Sequence, residues 1–116
     1  MLLRALRERL CRGERFRDRV YTEREVAYCE SRGRPRYQSY AARFAAKEAV
    51  MKAMGTGWNR YVGWREIEVV RERGHAPTIV LSGKAAEYAH RKRIAAFHLS
   101  ITHTEASAMA HVIAEG

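Results

Sequence analysis

The chain predicts an α+β fold in which one long central helix packs on a small antiparallel sheet, and three observations carry that expectation. Tyr37–Met54 is an unbroken run of helix formers without glycine or proline, closed by Gly55. It is apolar round most of its circumference, as a helix buried on nearly every side must be. Phe97–Thr102 alternates strictly, with Phe97, Leu99 and Ile101 on one face and His98, Ser100 and Thr102 on the other, the pattern of a half-buried strand. Helical segments come first, followed by a strand pair, a helix and a hairpin, an order that fits an antiparallel sheet packed on the long helix. No repeat, linker or low-complexity stretch interrupts this order, so residues 1–116 are expected to form a single domain.

In chain order, Leu2–Cys11 predicts a helix with Leu2, Leu3, Leu6 and Leu10 on one stripe and arginines elsewhere. Gly13 ends it, and Phe16 and Val20 are expected to pin a short connection to the core. Thr22-Glu23-Arg24-Glu25 is a capping-box pattern that starts a second helix, running through Val26, Tyr28 and Cys29 to near Ser31. Ser31–Arg36, with Gly33 and Pro35, reads as a basic loop before the central helix. Gly55-Thr56-Gly57-Trp58 reads as a helix stop and a turn. Glu66–Val70 and Thr78–Ser82 are strand-like and joined by a turn containing Gly74 and Pro77. Lys84–Arg93 is a short basic amphipathic helix, His103-Thr104-Glu105 a tight turn, and Ser107–Ala114 the last strand.

At 47% hydrophobic and 30% charged residues the composition is that of an ordinary globular domain. No apolar run approaches the length of a membrane span, and Met1–Leu10 is charged throughout, with no signal-peptide core. Cys11 and Cys29 form no CxxC unit and read as free thiols of a reducing cytoplasm, and the five histidines have no zinc spacing. The net charge of +9, with arginine dense from Arg4 to Arg43, predicts an anionic partner. Nucleic acid, a phosphorylated small molecule, an acidic protein and a membrane surface all satisfy it. A basic nucleic-acid-binding module is therefore an alternative reading, although no helix-turn-helix, zinc finger or aromatic-plus-glycine stacking motif is present.

The central helix carries four charges in two i,i+4 pairs. Arg43 and Lys47 share one stripe, and Glu48 and Lys52 share another, among Phe44, Ala41 and Ala45. The bland reading is a pair of ordinary surface ion pairs on a wet strip, Glu48→Lys52 being a favourable spacing. The chemical reading gives each a task. Glu48 offers an oxygen to Mg²⁺, which prefers carboxylates, water and phosphate oxygens to a full protein cage, and Lys52 offers a point charge to a phosphate. The Gly55–Gly57 loop lets backbone amides approach a ligand closely, against the adverse sign of the helix dipole there. His103 and Thr104 come within reach of the same region if the sheet packs on the helix. Together these features suggest metal-assisted chemistry on a phosphate ester, without a Walker loop, GxGxxG or GxSxG motif.

Arg43-Phe-Ala-Ala-Lys-Glu-Ala-Val-Met-Lys-Ala-Met-Gly-Thr-Gly57 resembles the signature of the holo-[acyl-carrier-protein] synthases, small bacterial 4′-phosphopantetheinyl transferases. Trp64-Arg-Glu-Ile-Glu-Val69, Leu99-Ser-Ile-Thr-His-Thr104, Ala108–Val112, Gly13-Glu-Arg-Phe16 and Val20-Tyr-Thr-Glu-Arg-Glu25 extend the likeness over nearly the whole chain. The resemblance implies transfer of the phosphopantetheine arm of coenzyme A to a serine of apo acyl carrier protein, releasing adenosine 3′,5′-bisphosphate. It implies Glu48 as a Mg²⁺ ligand and Lys52 as the contact to the diphosphate, these two being catalytic. Gly55, Thr56, Gly57, His103 and Thr104 would line the nucleotide site. Arg15, Arg19, Arg24 and Arg43, with Phe44, would face the acidic helix of the carrier protein, complementary charge speeding encounter and fixing register. It also implies a homotrimer with sites between neighbouring subunits.

One departure from the family pattern stands out. The family begins with a short strand, roughly Gly-x-Gly-x-Asp, whose aspartate is the second protein ligand of the metal. This chain begins Met1-Leu2-Leu3-Arg4, and alignment on Phe16 puts that aspartate just upstream of Met1. Glu8, the first acid, falls in a helix and is a poor substitute. The expectation is a segment missing from the start, with slowed transfer as its consequence. An inactive, trimer-forming remnant is the further alternative.

Overall fold

Along residues 3–56, 63–72 and 74–116, which the computed structural model describes (His103 through its backbone alone), four helices precede the first strand. They are α1 (Leu3–Cys11), α2 (Glu14–Val20), α3 (Glu23–Ser31) and α4 (Arg36–Met54). A 3-10 turn at Trp64–Glu66 leads into β1 (Ile67–Val70) and β2 (Thr78–Leu81), then α5 (Gly83–Arg91), β3 (Ala96–His103) and β4 (Ala108–Glu115). No described helix is long and apolar enough to cross a membrane.

The ends of the central helices follow from local chemistry. Thr22 caps α3: its hydroxyl accepts from the Glu25 amide at 3.2 Å, and its own amide donates to Glu25 Oε1 at 2.9 Å. This reciprocal box satisfies two orphan donors at the helix start. Helix α4 stops at Gly55, whose φ of 78° is the left-handed conformation that glycine enters without a Cβ penalty. The Gly55 and Thr56 amides then turn back to the carbonyls of Lys52 and Met51, each at 3.1 Å.

Helix α4 is the rod on which two cores are built. Its first half, through Tyr40, Ala41 and Ala42, packs with Leu6 of α1, Val20 of α2, Tyr21 just after it, and Cys29 of α3. Its second half, through Val50, Met51 and Met54, packs with Ile67 of β1 and Ala85 and Ala89 of α5. Strand β3 crosses both, Ile101 against the first core and Phe97 against the second, so it runs back along α4 from its C-terminal to its N-terminal end. The predicted alternation holds: Phe97, Leu99 and Ile101 are half-buried while His98, Ser100 and Thr102 are exposed.

Two expectations need correction. The stretch read as a connection around Phe16 and Val20 is helix α2. Its N-cap is Gly13, which has no side chain to announce a start, and its seven residues are too few to display a helical period. Among the described residues the expected small antiparallel sheet is divided into two ladders, β1 on β2 and β3 on β4. Register is in-line in both, Ile67 opposite Leu81 and Phe97 opposite Ala114. The outer face of β4 leaves Met109 and Ile113 exposed, at 60% and 67%.

The first core also sets an alkaline limit. Burial pushes the Cys29 thiol from 9.0 up to about 12 and raises Tyr21 well above an ordinary phenol. Below pH 9 both folded and unfolded chains hold the Cys29 proton. Between about 9 and 12 only the unfolded chain releases it, so this group's stabilising contribution falls as pH rises, by up to about 1.4 kcal/mol per pH unit. Urea midpoints measured from pH 8 to 11 are expected to decline, and Cys29→Ala to flatten the decline.

Candidate active site

The charges on α4 do not lie where a wet strip would put them. Lys47 is fully buried, and its Nζ lies 2.7 Å from Oε1 of Glu25, itself fully buried on α3. The same ammonium donates to the carbonyls of Trp64 at 2.9 Å and Ile67 at 2.6 Å. The other oxygen of Glu25 accepts from the Val69 amide at 3.0 Å. Desolvation lowers the Lys47 pKa, and the Glu25 carboxylate opposes that shift. Arg43 is 5% exposed, lies over the Tyr28 ring with its guanidinium 4.2 Å from the centroid, and donates to the Ser39 carbonyl. Arg43, expected to face the carrier protein, is thus mostly buried by the packing round α4 and borders a small cavity instead of an open face.

The second stripe behaves differently. Glu48 is half-buried, Lys52 one turn on is exposed, and among the described residues they form no ion pair with each other. Among the described residues neither side chain is committed to a partner. Gly55 and Thr56 follow at the end of the same helix, but their amides are spent on the helix cap, so the loop's expected donors are not theirs. Gly57 lies outside the described residues. Among the described residues no three His, Cys, Asp or Glu side chains converge as a metal cage. One half-buried carboxylate oxygen set fits Mg²⁺ only as part of a shell that water and phosphate oxygens complete, which is how that ion is usually held.

The hairpin turn comes to the opposite end of the rod. Thr104 shapes it, its amide donating to the Ser107 carbonyl at 2.8 Å and its hydroxyl accepting from the amides of Ala106 and Ser107. The Ala106 carbonyl takes the Leu3 amide at 2.9 Å, and Glu105 and Ala106 face Tyr37 and Gln38 across a cavity of about 800 Å³. Gly55 lies about 26 Å further along α4 at the helical rise per residue. A single chain therefore does not bring Thr104 and the backbone of His103 to Lys52 and Gly55, contrary to the expectation from packing alone. The side chain of His103 lies outside the described set.

Two arginine-lined surfaces flank the rod. Arg9, Arg12, Arg15 and Arg19 surround Phe16 in a cleft of about 500 Å³ between α1 and α2, with the Arg9 guanidinium 4.9 Å from the Phe16 ring centre. Phe16 leads on to Phe44, which stacks on Trp64 at 4.8 Å. Arg24 is apart from this cleft, paired with Glu68 at 3.5 Å. Arg9 and Arg12 extend the sequence-predicted set; the signal for Arg9 was the arginine face of α1, and Arg12 lies in the turn that follows it. The other surface is a cavity of about 210 Å³ lined by Arg32, Arg43 and Arg71 with Tyr28, Leu99 and Ile101. Arg43 Nε is buried there without a protein acceptor, a strong invitation to an anion.

Residues 3–108 match the 4′-phosphopantetheinyl transferase superfamily. A holo-[acyl-carrier-protein] synthase of Solibacter usitatus is 50% identical over 103 residues, covering 89% of this chain and 82% of that one. One from Koribacter versatilis matches to the same extent. Among solved structures, the holo-[acyl-carrier-protein] synthase of Neisseria meningitidis superposes with a TM-score of 0.90 at 28% identity, over 100% of this chain and 93% of that one. That of Bacillus anthracis, in complex with coenzyme A (3′,5′-ADP), gives 0.80 at 30% identity, over 98% and 89%.

Proposed function

Since this chain belongs to the 4′-phosphopantetheinyl transferase superfamily, among its holo-[acyl-carrier-protein] synthases, we propose that it moves the phosphopantetheine arm of coenzyme A onto a serine of apo acyl carrier protein. The observation that carries this reading is the second stripe of α4: a half-buried carboxylate and an exposed ammonium, one turn apart and not paired with each other, on an otherwise apolar rod. The serine oxygen forms a new bond to the phosphorus of the arm and gives up its proton. The bond from that phosphorus to the nucleotide breaks, and adenosine 3′,5′-bisphosphate leaves. Mg²⁺ held by Glu48, phosphate oxygens and water would supply Lewis-acid stabilisation and a template. Lys52 meets the charge that builds on the departing phosphate, Gly55 and Thr56 bound the same end of the helix, and Gly57, next in sequence, is assigned to the nucleotide with them.

The buried guanidinium of Arg43, with Arg32 and Arg71, suits a phosphate of coenzyme A better than a protein surface. His103 and Thr104, at the other end of α4, would reach the nucleotide on another copy of the chain. The exposed Met109 and Ile113 on β4 support such an assembly, which we take to be a homotrimer. Arg15 and Arg19, beside Phe16 and Phe44, receive the acidic carrier protein, with Arg24 at the margin. The free thiols Cys11 and Cys29 suit the cytoplasm as the site of reaction.

Apo carrier protein incubated with coenzyme A, Mg²⁺ and this chain is expected to gain the phosphopantetheine mass, with an equal amount of adenosine 3′,5′-bisphosphate. Absence of both products rejects the proposal. In the same assay, Arg15→Glu with Arg19→Glu is expected to raise KM for the carrier at least about tenfold and to flatten its salt dependence, leaving KM for coenzyme A in place.

A further inference from the structure

We infer that Lys47 and Glu25, held as a buried ion pair, are positioning residues that fix Glu48 in the geometry a divalent cation needs. The inference rests on the assignment of Glu48 to the cation. Lys47 precedes Glu48 on α4, so neither can turn about the helix axis without the other. All three protons of the Lys47 ammonium are spoken for, by Glu25 on α3, by the Trp64 carbonyl in the 3-10 turn and by the Ile67 carbonyl at the start of β1. Glu25 is held in turn by the Thr22 amide at the α3 cap and the Val69 amide in β1. The pair therefore locks the rotation of α4 to three other elements at once. It also fixes the backbone of Trp64, whose ring stacks on Phe44, the residue one turn before Glu48 on the same stripe.

The tolerance is small. A rotation of α4 by about 10° moves a side chain at a radius of about 6 Å by about 1 Å, and a displacement of that size at a reacting site costs about 10²-fold. A buried ion pair adds little stability over apolar residues of the same size, which makes specification of a geometry the better account of this one. Partners behind a metal ligand typically carry about 10–100-fold in metal affinity.

The test is Mn²⁺ binding to the full chain in the presence of coenzyme A, read as free Mn²⁺ by electron paramagnetic resonance, for wild type, Glu48→Gln and the volume-matched double variant Glu25→Leu/Lys47→Met. The double variant leaves the Thr22 and Val69 amides and the Trp64 and Ile67 carbonyls without these partners, so it is expected to melt below wild type while still folding at the assay temperature, and to raise the Kd for Mn²⁺ at least about tenfold. Glu25→Gln, which preserves the side chain's shape, is expected to shift Kd in the same direction and serves if the double variant does not fold. Wild-type affinity in a folded variant overturns the inference alone. No Mn²⁺ binding by wild type, or unchanged binding by Glu48→Gln, overturns both the inference and the assignment of Glu48 on which it rests.

Discussion

Glu48→Gln is expected to lower kcat by about 10²–10³-fold while leaving the melting temperature almost unmoved. The two halves of that expectation have separate causes. Glu48 is half-buried and forms no ion pair among the described residues, so its loss removes no partner among them, and substitutions of this kind change stability by about 0.5 kcal/mol or less. In the proposed transfer step the same carboxylate would hold the cation, and losing one preorganised electrostatic contact typically costs about 10²–10³ in rate. Single-turnover transfer to apo carrier protein, measured beside a thermal melt, checks both. The amide keeps one oxygen, so raised Mg²⁺ is expected to restore part of the rate. A variant within threefold of wild type would remove Glu48 from the site. Lys47, its neighbour, should fail the opposite way: Lys47→Ala leaves Glu25 charged and unpaired in the core, and the chain loses stability before activity can be read.

That contrast marks what the sequence could and could not disclose. The long helix, the Thr22 capping box, the Gly55 stop and the alternation of β3 are local patterns, and each is present as read. Helix α2 was hidden because a glycine cap carries no side-chain signature. The Glu25–Lys47 pair was hidden because its partners are remote in sequence, and spacing rules describe neighbours on one helix only. A signal was nonetheless present. A rod apolar nearly all round has no second wet stripe to offer, so one of its two charged stripes had to be buried and partnered. Glu25, already committed to Thr22 by the capping box, was an acid anchored near the core. The separation of Thr104 from Gly55 was likewise within reach, since it follows from the length of α4 once β3 is known to run back along it.

Leu6→Ala is expected to cost about 3 kcal/mol, within the usual range for removing a buried leucine, and to lower the melting temperature by about 10 °C at this chain length. Leu6 is fully buried, and α1 meets the rest of the first core through it, with Leu3 and Leu10 only packing at the margin. Beyond that contact α1 is tied down by the Leu3 amide on the Ala106 carbonyl. The cavity left by the truncation therefore loosens α1 more than it loosens α4, whose second half belongs to the other core. Helix α1 supplies Arg9 to the arginine cleft, and the turn that follows supplies Arg12. Well below its melting temperature the variant should thus bind coenzyme A normally while KM for the carrier protein rises several-fold, a split that calorimetry and steady-state kinetics on the same preparation would show. Equal losses toward both substrates would mean that α1 and α4 unfold as one unit and that the cleft is not separately hinged on Leu6.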